Sequence, residues 1–108
     1  LEYKGIIRRP IVPDSCQHNA HMYYVLLSPE IDRQKVLDKF KQSDIGSVFH
    51  YVPLHSSPAG KRYARAHDSL DITNVYSECI IRLPLWLGLL NSQQEQVVNV
   101  LKSSIGVQ

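Results

Sequence analysis

The stretch Asn19-Ala20-His21-Met22-Tyr23-Tyr24-Val25-Leu26-Leu27 decides how the rest of this chain is read. From Met22 onward it is an unbroken aromatic and aliphatic run of strand length. Continuous apolarity, in place of apolar–polar alternation, predicts a central strand or one buried on both faces. Ser28-Pro29 ends it. Asp32 then stands where a helix cap belongs, able to accept from a free N–H of the first turn. Val36, Leu37 and Phe40 follow at helical spacing, while Lys35, Asp38, Lys39 and Lys41 face water. The pattern predicts a helix over residues 32–43, with Gly46 supplying the left-handed turn that stops it.

Further outward, Val48, Phe49, Tyr51 and Val52 predict a second strand over residues 47–52, closed by Pro53. Strand, helix and strand on short links suggest a right-handed crossover unit. Residues 61–66 read as a short helix, and Thr73 as the cap of another that carries Val75, Cys79 and Ile80. A third strand spans 81–85 and is truncated by Pro84. The last helix covers 92–105. Ser92 and Glu95 have capping-box spacing, Val97, Val98, Leu101 and Ile105 mark one face, and Gly106 is its stop. Upstream, residues 1–17 are fenced by Pro10 and Pro13, which confine any strand there to an edge, and Asp14-Ser15 reads as a turn. Together these elements predict an α+β fold: a two-layer α/β sandwich in which helices pack on a small mixed or antiparallel sheet.

Composition removes several classes of function. With 108 residues there is room for one domain, and a 44% hydrophobic share supports one core. A formal charge of +2, with Arg8-Arg9 and Lys61-Arg62 the densest basic spots, lacks the clustering that nucleic acid demands. No apolar run reaches membrane length, because Arg82, Pro84 and Gly88 interrupt the longest one. Cys16 and Cys79 form no disulfide framework, so a reduced, cytoplasmic protein is expected. The chain opens on Leu1, not Met, which suggests a piece cut from something longer.

Histidines are the remaining candidates for chemistry. His18 and His21 sit three apart, which on a strand sends them to opposite faces, and no cysteine or carboxylate cluster joins them. They and His67 read as ordinary core or surface residues, and no metal is expected. His50 and His55 differ, because they bracket Tyr51-Val52-Pro53-Leu54 where a strand enters a proline-stiffened loop. Strand ends are where α/β folds place ligand contacts. Two imidazoles and the Tyr51 hydroxyl bring several hydrogen-bonding groups to one loop. On the residues alone, a ligand-binding role and a purely structural one stand level. Ser56 and Ser57 lack a nucleophile elbow, and no glycine-rich phosphate loop is present.

Three segments, in order, resemble one family. They are residues 19–27, the run Val48-Phe49-His50-Tyr51-Val52-Pro53-Leu54-His55 continued to Gly60, and Ser77-Glu78-Cys79-Ile80-Ile81-Arg82-Leu83-Pro84-Leu85-Trp86. Together they resemble the C-terminal region of fold-type-I sugar-nucleotide aminotransferases, from about Ile6 onward. The nearest branch is that of the dTDP-4-amino-4,6-dideoxygalactose transaminases of enterobacterial common antigen and lipopolysaccharide synthesis.

The resemblance implies a homodimeric enzyme that uses pyridoxal phosphate (PLP) to move an amino group from glutamate to a nucleotide-linked keto sugar. It implies that the PLP lysine belongs to a large N-terminal domain of the same chain. None of Lys4, Lys35, Lys39, Lys41, Lys61 or Lys102 matches the family's lysine motif, so no cofactor is expected on this portion alone. It carries substrate binding onto His50, Tyr51 and His55. Cys79 departs from the family, where arginine is frequent, and the apolar run 86–90 implies packing against the large domain. The competing reading is a free-standing, non-catalytic module for a small ligand or peptide, and a structural or assembly role comes third.

Overall fold

The computed structural model describes residues 1–106. Its centre is a four-stranded sheet of β1 (Ile7–Arg8), β2 (Tyr23–Leu27), β3 (Val48–Phe49) and β4 (Ile80–Leu83), in the order β1-β2-β4-β3. Every ladder is antiparallel, with Val25 opposite Ile81 and Phe49 opposite Ile81 on the other side. Both β2 and β3 run against β4, so they are parallel to each other with β4 inserted between them, a split β-α-β arrangement. The fold is α+β, as the sequence pattern predicts.

Helix α1 (Arg33–Gln42) links β2 to β3, and α4 (Asn91–Ser104) closes the described chain. Val25 and Leu27 of β2, Ile81 of β4, Val36 and Phe40 of α1, and Val97 and Leu101 of α4 make the main core. Phe40, Val36 and Ile81 are wholly buried. Pleating turns Leu26 to the other face, where it lines a hollow with Val75, Tyr76 and Cys79 of α3 (Asp71–Cys79). Both faces of β2 are thus covered, which is why its apolar run is continuous. Burial also pushes the Cys79 thiol above its ordinary range.

The boundaries differ from the sequence pattern for identifiable reasons. The strand predicted over 19–27 begins at Tyr23. Ala20 takes a φ of 51°, with its N–H donated to His18 Nδ1 at 2.8 Å, so local side-chain bonding turns that segment. The strand predicted over 47–52 keeps only Val48–Phe49. Its partner β4 begins at Ile80, directly after α3, so no extended backbone lies opposite Tyr51. The strand predicted over 81–85 runs from Ile80 to Leu83 and stops before Pro84.

Asp32 caps α1 as expected, accepting from the N–H groups of Gln34 and Lys35 at 3.0 and 3.3 Å. The left-handed residue after α1 is Asp44, with φ 54°, not Gly46; aspartate is among the few non-glycine residues that tolerate this region. Helix α3 begins at Asp71 behind Leu70, so Thr73 lies inside it. In α4 the reciprocal contact comes from Gln93, whose side-chain oxygen accepts from the Leu90 N–H at 2.9 Å, rather than from Ser92 and Glu95. Gly106 does stand in the left-handed region after α4, at φ 70°.

Candidate functional site

The loop that carries the predicted site residues leaves the free edge of the sheet. Arg33 fixes its root: the guanidinium lies 5.5 Å from the Phe49 ring centroid and donates to the Ser77 carbonyl oxygen. At the sheet side, Ser47 Oγ donates to the Arg82 carbonyl oxygen at 2.8 Å. Past Phe49 the chain runs without ladder partners through His50–Pro53 and makes a 3-10 turn at Leu54–Ser56. It then enters α2 (Pro58–Tyr63). The short helix predicted over 61–66 therefore starts earlier. Pro58 has no N–H to lose in the first turn, and Ser57 Oγ accepts from the Gly60 N–H at 2.9 Å.

Gly60 makes this hairpin possible. A Cβ there would lie 1.6 Å from the Leu54 carbonyl oxygen, so only glycine lets α2 fold back on the 3-10 turn. Ser57 Oγ also donates to that carbonyl, and Ser56 Oγ donates to Pro53 O. The two serines serve the backbone of the loop.

His50 is half-buried and meets Tyr51 edge to face, with ring centroids 5.0 Å apart. Its Nδ1 is buried and has no hydrogen-bond partner. An unmatched acceptor costs less than an unmatched donor, so the neutral ring is best served with its proton on Nε2. That leaves Nε2–H as the donor His50 can offer. Tyr51 is 74% exposed, with a hydroxyl able to donate or accept.

His55 is separated in role from this pair. Its Nε2 lies 2.8 Å from Asn74 Oδ1 on α3, so it anchors the loop to the body of the fold. The loop thus keeps His50 and Tyr51 together at its start and uses His55 as a brace. Asn74 and Gly60 are functional candidates that sequence reading passed over. Their signals are faint: a polar amide in mid-helix and a glycine inside a helical turn. His18, His21 and His67 are all exposed, and His67 pairs with Asp68 at 2.7 Å.

Several apolar side chains in and beyond this loop are open to solvent. Leu54 is 83% exposed, Val48, Val52 and Tyr63 are exposed, and Leu87 at the tip of the 85–90 segment is fully exposed. All six lysines are exposed, and none stands in an enclosed cavity that could hold a Schiff base.

Residues 2–102 match the DegT/DnrJ/EryC1/StrS aminotransferase family. The chain belongs to that family. Among curated relatives, the "Uncharacterized protein MJ1066" of Methanocaldococcus jannaschii is 28% identical over 108 residues, covering 94% of this chain and 27% of its own. A DegT DnrJ EryC1 StrS aminotransferase from Brucella abortus superposes with a TM-score of 0.80 at 23% identity, over 95% of this chain and 27% of that one. Spr1654 from Streptococcus pneumoniae, described as a sugar aminotransferase and solved in its PMP form, gives 0.82 at 17% identity, over 94% and 26%. These likenesses establish the fold. The family chain in hand spans about a quarter of the length of the relatives it matches.

Proposed function

We propose that this chain is the C-terminal small domain of a longer, cytoplasmic and homodimeric PLP-dependent aminotransferase. In this reading the PLP lysine sits in a large domain of the same chain. The whole enzyme takes an amino group from glutamate and delivers it to a dTDP-linked 4-keto-6-deoxy sugar. The branch it fits best is the dTDP-4-amino-4,6-dideoxygalactose transaminases, which supply precursors of enterobacterial common antigen and lipopolysaccharide. Family membership, and relatives about four times as long, favour this over a free-standing binding module.

The observation that carries the site assignment is the start of the loop. His50 and Tyr51 meet edge to face beside the sheet's free edge, with an exposed phenol and an imidazole whose buried nitrogen lacks a partner. We assign both to orienting the nucleotide sugar, and His55 to substrate binding only through its hold on the loop. In this reading glutamate deamination needs the cofactor, its lysine and a small carboxylate site, all chiefly in the large domain. In the complete enzyme, His50→Ala or Tyr51→Phe is expected to impair the sugar half-reaction more than the glutamate half. A lost neutral hydrogen bond costs about 0.5–1.5 kcal/mol, or roughly a few-fold to tenfold in the specificity constant. Single-turnover rates for each half decide; equal losses, or none, would make the loop structural.

A second expectation concerns the chain alone. Incubated with PLP and reduced with borohydride, it is expected to show scattered, substoichiometric labelling by mass analysis. One stoichiometric adduct at a single lysine would overturn this.

A further inference from the structure

Between Tyr51 and Ala64 the chain is held almost entirely by itself. Its backbone hydrogen bonds join Ser56 and Ser57 to Pro53 and Leu54, Lys61 to Ser57, and Ala64 to Gly60. Its serine side chains bond to Pro53, Leu54 and Gly60. Among the described residues, one hydrogen bond ties this segment to another part of the molecule, that from His55 to Asn74.

Asn74 is placed to do more than accept one proton. Its Nδ2 donates to the Ser69 carbonyl oxygen at 2.8 Å, which leaves Oδ1 as the acceptor facing His55 Nε2. His55 must therefore carry a proton on Nε2. The Ser69 contact sits beside Leu70, whose φ of 51° is a costly conformation for a bulky side chain and sets the direction in which α3 departs. One amide thus pins two loops, the return at Ser69 and the turn after Tyr51, to the same helix.

We propose that Asn74 is the positioning residue for the nucleotide-sugar loop, acting on His50 and Tyr51 through His55. The inference rests on the assignment of that loop to the sugar substrate. If Asn74 is lost, the turn at Leu54–Ser56 is released, and the pair at the loop's start loses its fixed distance from the rest of the active-site mouth. Small misplacements of orienting groups weaken binding of the group they orient. The chemistry of the cofactor is not touched, so the effect belongs to the KM of the sugar nucleotide.

The test uses the complete enzyme with Asn74→Ala, His55→Ala, the double variant, His55→Gln and His50→Ala. Melting curves check that each variant folds. Asn74→Ala and His55→Ala are each expected to raise the sugar-nucleotide KM roughly three- to tenfold. The glutamate half-reaction should stay within about twofold of the parent. The double variant should be no worse than Asn74→Ala alone, because that single change already removes the bond to His55. His55→Gln, whose amide N–H can stand in for the imidazole Nε2–H, should recover most of the loss.

Additive losses, no recovery by glutamine, or equal damage to both halves would overturn the proposal. His50→Ala separates this inference from its parent. If it strikes the sugar half while Asn74→Ala does not, Asn74 has no positioning role and the loop assignment stands. If His50→Ala leaves both halves untouched, the loop assignment falls and Asn74's role falls with it.

Discussion

The sheet core and the 50–64 loop are built on opposite principles. The core joins residues far apart in sequence: Val25, Phe40, Ile81 and Leu101 come from four elements and are buried against one another. The loop is made of contacts between near neighbours, with one hydrogen bond among the described residues reaching outside Tyr51–Ala64 and with Leu54 and Tyr51 left to solvent. Energy in the first is collective, so any truncation is felt throughout. In the second it is local, so a change there can displace the loop and leave the body intact.

The largest test of the contrast is Phe40→Ala. Phe40 is wholly enclosed between α1, the sheet and α4, and truncation of such a residue costs about 3–5 kcal/mol through lost transfer energy and the cavity left behind. For a small domain whose total stability is about 5–15 kcal/mol, that is a large share. Urea titration of parent and variant measures it. A loss below about 1 kcal/mol would mean that the core relaxes around the void and is not the cooperative unit described.

Gly60→Ala comes next and probes the loop. The added Cβ would overlap the Leu54 carbonyl oxygen, and that atom is backbone, so the turn at Leu54–Ser56 must part from α2. Overpacking of this kind costs about 1–3 kcal/mol, an upper limit here because the loop can swing away. The expected signature is faster amide exchange confined to residues 50–64, with β2 and β4 still protected. Loss of protection in the sheet as well would join the loop to the cooperative core and erase the contrast.

The two regions were also unequally legible. The core announces itself in the sequence: the apolar run ending at Leu27, the cap at Asp32, and the spacing of Val36 to Phe40 are local patterns with direct physical meaning. The strand expected at 47–52 is shorter in the structure because its length is set by where α3 ends, at Cys79, and no local pattern holds that information. Thr73 and Ser92 have good capping chemistry, yet the helices begin at Asp71 and Asn91, one behind a left-handed Leu70 and the other behind a Leu90 held by Gln93. For the site, proximity of His50 to Tyr51 is local and could be read. The bond from His55 to Asn74 spans nineteen positions and could not.

The smallest expected effect lies at the N-terminal clasp, a third kind of contact that belongs to neither region. Glu2 accepts from the Arg9 backbone N–H at 2.9 Å and from Arg9 Nε at 2.7 Å, closing the segment that leads into and out of β1. The backbone donor first, and the guanidinium second, hold the Glu2 carboxyl below its ordinary value. A carboxyl depressed in the folded state stabilises that state at any pH above its unfolded value. The benefit is lost as pH falls through the folded value, where the group is protonated whether the chain is folded or not. Glu2→Gln keeps an acceptor oxygen and removes the charge. It should therefore lower the melting temperature slightly at pH 7, and the gap from the parent should close at pH well below the carboxylate range. Both partners are well exposed, so added salt should shrink the gap at pH 7 as well. A gap that persists unchanged in acid and in salt would assign the effect to packing of the segment on β2, and would move the clasp to the core side of the comparison.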